Sequence, residues 1–177
     1  MPLQTGTHSI GPSNGSVTIK TGREGAAAKA GHDLVLEATS WDGTIEVGDN
    51  ASVKLTVDPS SIEVQSGSGG AKPLSDKDKG DIKKSMRDKI LGGSQITFES
   101  SDVKAENGSM NVSGNLSVAG SSNSISVPLT VGADGTVSGS VRISQSQYGI
   151  KQFKALMGAL KVSDTVEVQL EAKLPTA

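Results

Sequence analysis

Few side chains in this sequence can do chemistry, and their spacing removes most of what they could do. There is no cysteine, which excludes disulfides, thiol catalysis, iron–sulfur clusters and cysteine zinc sites. Two histidines occur, His8 and His32. A metal site needs three or four ligands, and neither histidine has a second ligand at the right spacing. His8 therefore reads as surface on an N-terminal tail. His32 precedes Asp33, and a carboxylate beside an imidazole can orient it. His32 is kept as a candidate site residue, although a His-Asp pair at the start of a strand is also what a structural or solvent-facing histidine presents. Of 177 residues 26 are serine, and the one Gly-x-Ser-x-Gly order, Gly11-Pro12-Ser13-Asn14-Gly15, runs into the strand pattern Val17–Lys20 and not into the helix that follows the elbow of a serine hydrolase. The stretch 22–31, GREGAAAKAG, has the small residues of a phosphate loop without its Gly-x-x-x-x-Gly-Lys-Ser/Thr order, and no helix pattern opens behind it. It reads as a small-residue excursion at the end of a strand. Asp42 and Glu46 alternate with Gly43, Ile45 and Val47, which makes them outward-facing solubility charges. No catalytic set emerges, so the expectation is a protein that is not an enzyme and needs no metal.

Charge and composition narrow the partners. With 17 Lys and Arg against 19 Asp and Glu the formal charge is −2, so nothing electrostatic favours nucleic acid. The four aromatic residues, Trp41, Phe98, Tyr148 and Phe153, are too few for a base-stacking platform. No run of 18 or more apolar residues exists to span a bilayer as a helix. The first residues, MPLQTGTH, lack the basic start and apolar stretch of a secretory signal, so a cytoplasmic location is expected. Between Lys72 and Lys89 there are seven Lys or Arg and four Asp. That balance suits either a solvated helix face or the approach of an anionic headgroup.

The elements that must position these residues are strands. Strict alternation of apolar and polar residues, the mark of a strand with one dry face, runs through Val53–Asp58, Met110–Val118, Ile125–Val131, Val137–Ile143 and Val166–Glu171. Shorter runs at Val17–Lys20, Leu34–Ala38, Trp41–Val47, Ile62–Gln65 and Ile96–Ser100 complete eight to ten strands. Turns are expected at Gly120–Asn123 and Ala133–Gly135, and Ser66–Gly70 reads as a flexible connection. One domain over residues 1–177 is expected, with 1–12 as a tail or edge strand. Long consecutive strands, each with one wet face, favour an all-β antiparallel up-and-down barrel of about eight strands, since closure removes exposed edges. Val and Ile dominate its inward face, and Gly43, Gly114 and Gly139 stand where larger side chains could have filled it. These glycines are read as leaving room for a cavity.

Two segments break the alternation. Residues 75–91 read as a helix: Ser75 and Asp78 have capping-box spacing, Asp76, Asp78 and Asp81 lie early, and Lys83, Lys84, Arg87 and Lys89 lie late. Its apolar stripe, Ile82, Met86 and Ile90 with Leu91 beside it, suits a lid on something apolar. Residues 151–160 place Phe153, Leu156, Met157 and Leu160 at helical spacing and read as a second capping helix.

In this order the chain resembles the YceI-like family. The resemblance rests first on Gly31-His32-Asp33-Leu34 through Trp41-Asp42-Gly43-Thr44-Ile45-Glu46-Val47, then on Ser52 to Ile62 with its strand followed by Ser-Ile. It continues through Ile96-Thr97-Phe98-Glu99-Ser100, similar to the family's Ile-Thr-Phe-x-Ser, and Gly114-Asn115-Leu116-Ser117-Val118-Ala119-Gly120. It ends with Tyr148-Gly149-Ile150 and Val162-Ser163-Asp164-Thr165-Val166. The resemblance implies a lipocalin-like barrel that holds a long apolar molecule, a polyisoprenoid, quinone or other lipid, with no catalytic motif and often as a homodimer. From the alternation, the expected ligand-lining residues are Trp41, Ile45, Val57, Phe98, Val112, Leu116, Val127, Leu129, Val141, Phe153 and Val168, with His32 beside them. Two other readings stand next to this one. One is a stress-related or structural interaction protein with a filled barrel; the other is an enzyme using His32 and Asp33.

Overall fold

Wherever apolar and polar residues alternate the chain is extended, because only a strand turns every second side chain to one face. The computed structural model describes residues 3–26, 32–68, 74–106, 108–155 and 160–177. Its strands are β1 (Gly6–Ile10), β2 (Gly15–Lys20), β3 (Arg23–Glu24), β4 (Asp33–Ala38), β5 (Trp41–Val47), β6 (Ser52–Val57), β7 (Ile62–Ser68), β8 (Ile96–Glu106), β9 (Ser109–Val118), β10 (Ser121–Val131), β11 (Thr136–Ser144), β12 (Lys154–Ala155), β13 (Leu160–Val162) and β14 (Thr165–Lys173). Helix α1 spans Asp76–Ser85. Eleven strands make one antiparallel sheet in the order β1-β5-β6-β8-β9-β10-β11-β14-β2-β4-β7, and β12, β13 and β3 make a small second sheet.

Eleven strands stand where about eight were expected because three long staves are bent. β1 and β2 run along β5 and β4 in turn, while β6 and β7 run along the same two strands on their other side. Each consecutive pair is one stave with a corner, and on that reading eight staves go round. The ladder closes, since β2 pairs β14 and pairing continues through β11, β10, β9 and β8 back to β6. Local chemistry makes the corners. Asn14 accepts from the Gly11 N–H (2.9 Å) and donates to the Ser9 and Lys173 carbonyls (3.1 and 3.2 Å). Asp58 accepts from the Ser60 N–H (2.9 Å) and caps a short 3₁₀ turn, Pro59–Ser61. The residues expected as a tail or edge strand include β1, where His8 lies opposite Ile45 and its Nε2 donates to the Gln4 carbonyl (2.7 Å).

Antiparallel pairing puts α1, the start of β8 and the β9–β10 turn at one end of the barrel, the helix end. The far end is packed solid. Leu3, Ile10, Trp41, Ile45, Met110, Val131, Val137 and Leu174 are buried members of one core. A bridge from Leu3 to Thr176 and a bond from the Leu174 N–H to the Gly135 carbonyl (2.9 Å) hold that end shut.

Helix α1 serves as a piece of wall. β6 reaches β8 only over Lys54–Val57, so beyond that point β7 has no strand on its outer side and α1 packs there instead. The capping box read from the sequence is present, with Ser75 N–H to Asp78 Oδ2 at 3.0 Å and Asp78 N–H to Ser75 Oγ at 3.1 Å. These bonds hold the Asp78 carboxyl below its ordinary value. Lys83 pairs with Glu63 of β7. Past Ser85 the helix continues as a π-helical turn, Met86–Leu91, and stops at Gly92, whose φ of 62° suits glycine.

Three expectations are corrected. The β9–β10 hairpin turns at Ala119-Gly120, with φ of 52° and 82°, and Ser121–Asn123 belongs to β10. Ser66–Ser68 is not a loose connection but the end of β7, paired with Asp33–Val35; Gly69 and Gly70 lie outside the described residues. The second helix is not formed. Lys154–Ala155 and Leu160–Val162 pair with each other, and β13 pairs onward with β3, so backbone bonding to a distant segment displaces the local helical spacing. Leu156 and Met157 lie outside the described residues.

Candidate functional site

Inward side chains of the eight staves do not meet in the upper half of the barrel, and they leave a cavity of about 410 Å³ below the helix end. Its wall is apolar. Val17, Leu36, Val53, Val112, Leu129 and Leu170 line its deeper part, and Leu34, Ile96, Val118, Ile143, Val166 and Val162 its upper part. From α1 and the turn after it come Ile82 and Met86, the apolar stripe that the sequence assigned to a lid. The other cover is the segment after β11. A 3₁₀ turn at Gln145–Tyr148 ends on Gly149 (φ 73°), and Tyr148, Ile150 and Phe153 turn into the cavity.

This segment is held by polar anchors on its outer side. Asp164 accepts from the Ser146 N–H (2.8 Å) and hydroxyl (2.7 Å), and Gln145 donates to the Ser163 carbonyl (3.1 Å). Asn123 Nδ2 donates to the Gln147 carbonyl (2.7 Å). The turn lies over a seam. The β10–β11 ladder holds only Leu129–Val131 against Val137–Gly139, and it stops at Pro128, which has no N–H to give.

Among the described residues, those with polar side chains on the cavity wall are Thr21, Asp81, Ser85, Gln145 and Tyr148. Tyr148 is 2% exposed and packs against Ile143 and Ile150, with Val118, Ile125 and Val166 around them. Its hydroxyl is buried without a hydrogen-bond partner. Burial pushes its pKa up, and the Asn123 amide nearby acts against that shift. Asp81 is the one charged residue among the described residues that line the cavity.

Nine of the twelve residues selected from the sequence meet on this wall: Val57, Phe98, Val112, Leu116, Val127, Leu129, Val141, Phe153 and Val168. The structure puts Trp41 and Ile45 elsewhere. Both are buried, at 5% and 0% exposure, but β5 lies beyond the corner at residues 39–40, in the half of the barrel that is filled. Alternation gave their face correctly and could not give their depth. His32 is also off the wall: it precedes β4, close to Gly67 and on the side of Asp78. The carboxylate of Asp33 faces Arg23 Nε at 3.4 Å.

The glycines do not make the room that was expected of them. A Cβ at Gly43, Gly114 or Gly139 would stand 2.3–2.4 Å from a carbonyl oxygen of the neighbouring strand. They allow strands to approach and coil, and of the three only Gly139 touches the cavity. Two kinds stand out among the residues missed on the wall. Val118, Ile125, Ile143 and Val166 each lie two positions from a selected residue, so the same alternation already carried them. Tyr148, Gln145 and Thr21 sit at turns, where no periodicity marks a direction.

A family model described as the YceI-like domain matches residues 9–174. No curated protein matches the chain. Among solved structures, Burkholderia cenocepacia BcnA is similar, with a TM-score of 0.64 and 18% identity, over 89% of this chain and 94% of that one. A Campylobacter jejuni YCEI protein that crystallizes with large solvent channels is similar with a TM-score of 0.58 and 14% identity, over 80% of this chain and 84% of that one. At such identities the likeness is one of fold.

Proposed function

The chain belongs to the YceI-like family, and from that premise we propose that it is a non-catalytic protein that binds one long apolar molecule, an isoprenoid, quinone or fatty acyl or amide chain, inside its barrel. The observation that carries this reading is the 410 Å³ apolar cavity itself. A filled barrel acting through its surface would not leave such a space, because interiors pack nearly without voids larger than a water molecule. Apolar burial stabilises a guest by about 25 cal/mol per Å², and pockets of this size and lining are where ligands sit. The wall favours binding over catalysis, since its described residues include one carboxylate, Asp81, and no His, Lys or Arg to work with it. A homodimer belongs to the same reading and is checked by light scattering on stepwise dilution.

The test is native mass spectrometry of protein purified from its own host, followed by organic extraction and lipid analysis. A co-purifying neutral chain, or uptake of one by delipidated protein, is the expected result. Substituting Val127→Trp should then weaken uptake at least tenfold while the fold survives, because an indole occupies the space. Protein that is clean, and that takes up neither quinones nor fatty acyl compounds, would overturn the reading.

A further inference from the structure

We propose that the helix end of the barrel, where the cavity has its mouth, is a docking surface for an anionic lipid bilayer, against which the protein loads and unloads its guest. This rests on the reading of the barrel as a ligand carrier and adds the place where exchange happens. The charges of the chain are divided along the barrel. Residues 20–33, 68–96 and 144–165, with the uncharged β9–β10 turn, join the antiparallel staves at the helix end. Those three segments hold 13 of the 17 Lys and Arg but only 7 of the 19 Asp and Glu. The rest of the chain holds 4 cations and 12 acids. One pole of the barrel is therefore basic and the remainder acidic, a division that the formal charge of −2 conceals.

Some of the basic groups stand ready to meet a surface. Lys77 and Lys84 on α1, and Lys151 beyond the Gln145–Tyr148 turn, are exposed, and none makes an ion pair with a described carboxylate. Several acids of the same end are already engaged. Asp33 faces Arg23, Asp88 faces Arg87, and Asp78 is held in the capping box of α1.

Position gives the partner. The elements that carry these lysines are the two covers of the mouth, and their Ile82, Met86 and Phe153 line the cavity while only half-buried. A basic rim beside an apolar opening matches a bilayer, whose headgroups are anionic and whose interior is hydrocarbon. An acidic protein would answer the charge and not the opening. The same membrane repels the acidic remainder of the barrel, so the field turns the mouth toward the lipid and the packed floor away from it. A guest insoluble in water then passes between bilayer and cavity without crossing solvent.

The experiment measures co-sedimentation with vesicles of phosphatidylcholine alone and of phosphatidylcholine mixed with phosphatidylglycerol, in low and in high salt. Wild type should partition about tenfold better onto the mixed vesicles, and high salt should erase the difference. Combining Lys77→Glu, Lys84→Glu and Lys151→Glu should remove most of that preference. Combining Lys54→Glu, Lys104→Glu and Lys173→Glu makes the same change in net charge on exposed residues away from the helix end, and should remove far less of it. Equal losses in the two variants would show a response to net charge alone and overturn the proposal. Uptake of a neutral chain from cyclodextrin should be the same in the first variant as in wild type, which separates docking from holding. Wild type that takes up the chain yet binds both kinds of vesicle alike would overturn docking and leave the carrier reading standing. Wild type that takes up no chain from either cyclodextrin or vesicles would overturn both.

Discussion

Gly114 is a residue whose meaning reverses between sequence and structure. On the alternating face of β9 it looks like an omitted side chain, a place for a ligand. In the barrel a Cβ there would lie 2.3 Å from the Glu99 carbonyl oxygen and 2.7 Å from Ser100 Cα, opposite the irregularity between Ser100 and Asp102. The obstacle is backbone, which cannot swing aside. Gly114→Ala should therefore cost about 3 kcal/mol and lower Tm by roughly 6–12 °C, read by calorimetry; an unchanged Tm would mean that the strands can part at no cost. Asp134 makes a second residue-scale case. Its carboxylate accepts from Lys173 Nζ (3.0 Å) and from the Thr136 N–H (3.1 Å) and hydroxyl (3.0 Å), and its pKa falls from 3.8 to about 2, the Lys173 bond first among the causes. A lowered folded-state pKa contributes stability above the unfolded value of 3.8, and this is lost as pH falls through about 2. The group is exposed, so the effect is small. In melts of wild type and Asp134→Asn across acidic pH, wild type should be the more stable above pH 4 and the two should converge toward pH 2. A gap that does not change with pH would show that the charge is not its source. Tyr148 could not be found this way from sequence, because it stands in a 3₁₀ turn, where no spacing encodes which way a side chain faces.

At the scale of elements, local chemistry was legible where the element's own residues decide it. The one-faced strands read correctly from alternation, and α1 read correctly from Ser75, Asp78 and the order of its charges, since a capping box and a macrodipole are built from nearby residues. Two substitutions exploit that locality. Gly80 lies in α1 with nothing within 4 Å of a built Cβ, so Gly80→Ala should raise stability by about 1 kcal/mol and Tm by roughly 2–4 °C. Ala119 holds φ 52° in a two-residue hairpin with Gly120, a shape in which Asn is preferred at the first position. Ala119→Asn should likewise raise Tm, by about 2–4 °C, and a drop would mean that its packing beside Val118 and Ile125 outweighs the backbone. Illegible elements are those whose partners are distant in sequence. Residues 151–160 carry a helical spacing that is overridden where Lys154–Ala155 pair with Leu160–Lys161, and Lys161–Val162 pair onward with Arg23–Glu24. The corners at 11–14, 39–40 and 58–61 depend on where one long stave must pass from one half of the barrel to the other, so they could not be placed, and with them went the depth of Trp41 and Ile45.

If the barrel is the carrier proposed above, the question for the whole molecule is how long a guest it takes, and the packed far end sets the answer. Leu3, Ile10, Ile45, Met110, Val131, Val137 and Leu174 form a floor within the same core that carries the cavity wall. A ligand can extend toward the helix end, between α1 and the segment carrying Tyr148, and not through the far end. An apolar cavity of about 150 Å³ takes up benzene; scaled to that, 410 Å³ holds on the order of 16 carbon atoms. Each methylene buried contributes about 0.8 kcal/mol, which is roughly a fourfold gain in affinity per carbon. In a homologous series of uncharged amides, affinity should thus rise steeply with chain length and level off near 16 carbons, because later carbons emerge into the mouth or the solvent. Filling the floor further should move the break. Replacing Val112, a deep wall residue 1% exposed, with Phe should bring the plateau to a shorter chain by several carbons, whereas Gly80→Ala, on the outer face of α1, should leave it in place. A series that keeps gaining past twenty carbons with no break would mean that the floor opens on binding, and the termini that bridge Leu3 to Thr176 would be where to look for the movement.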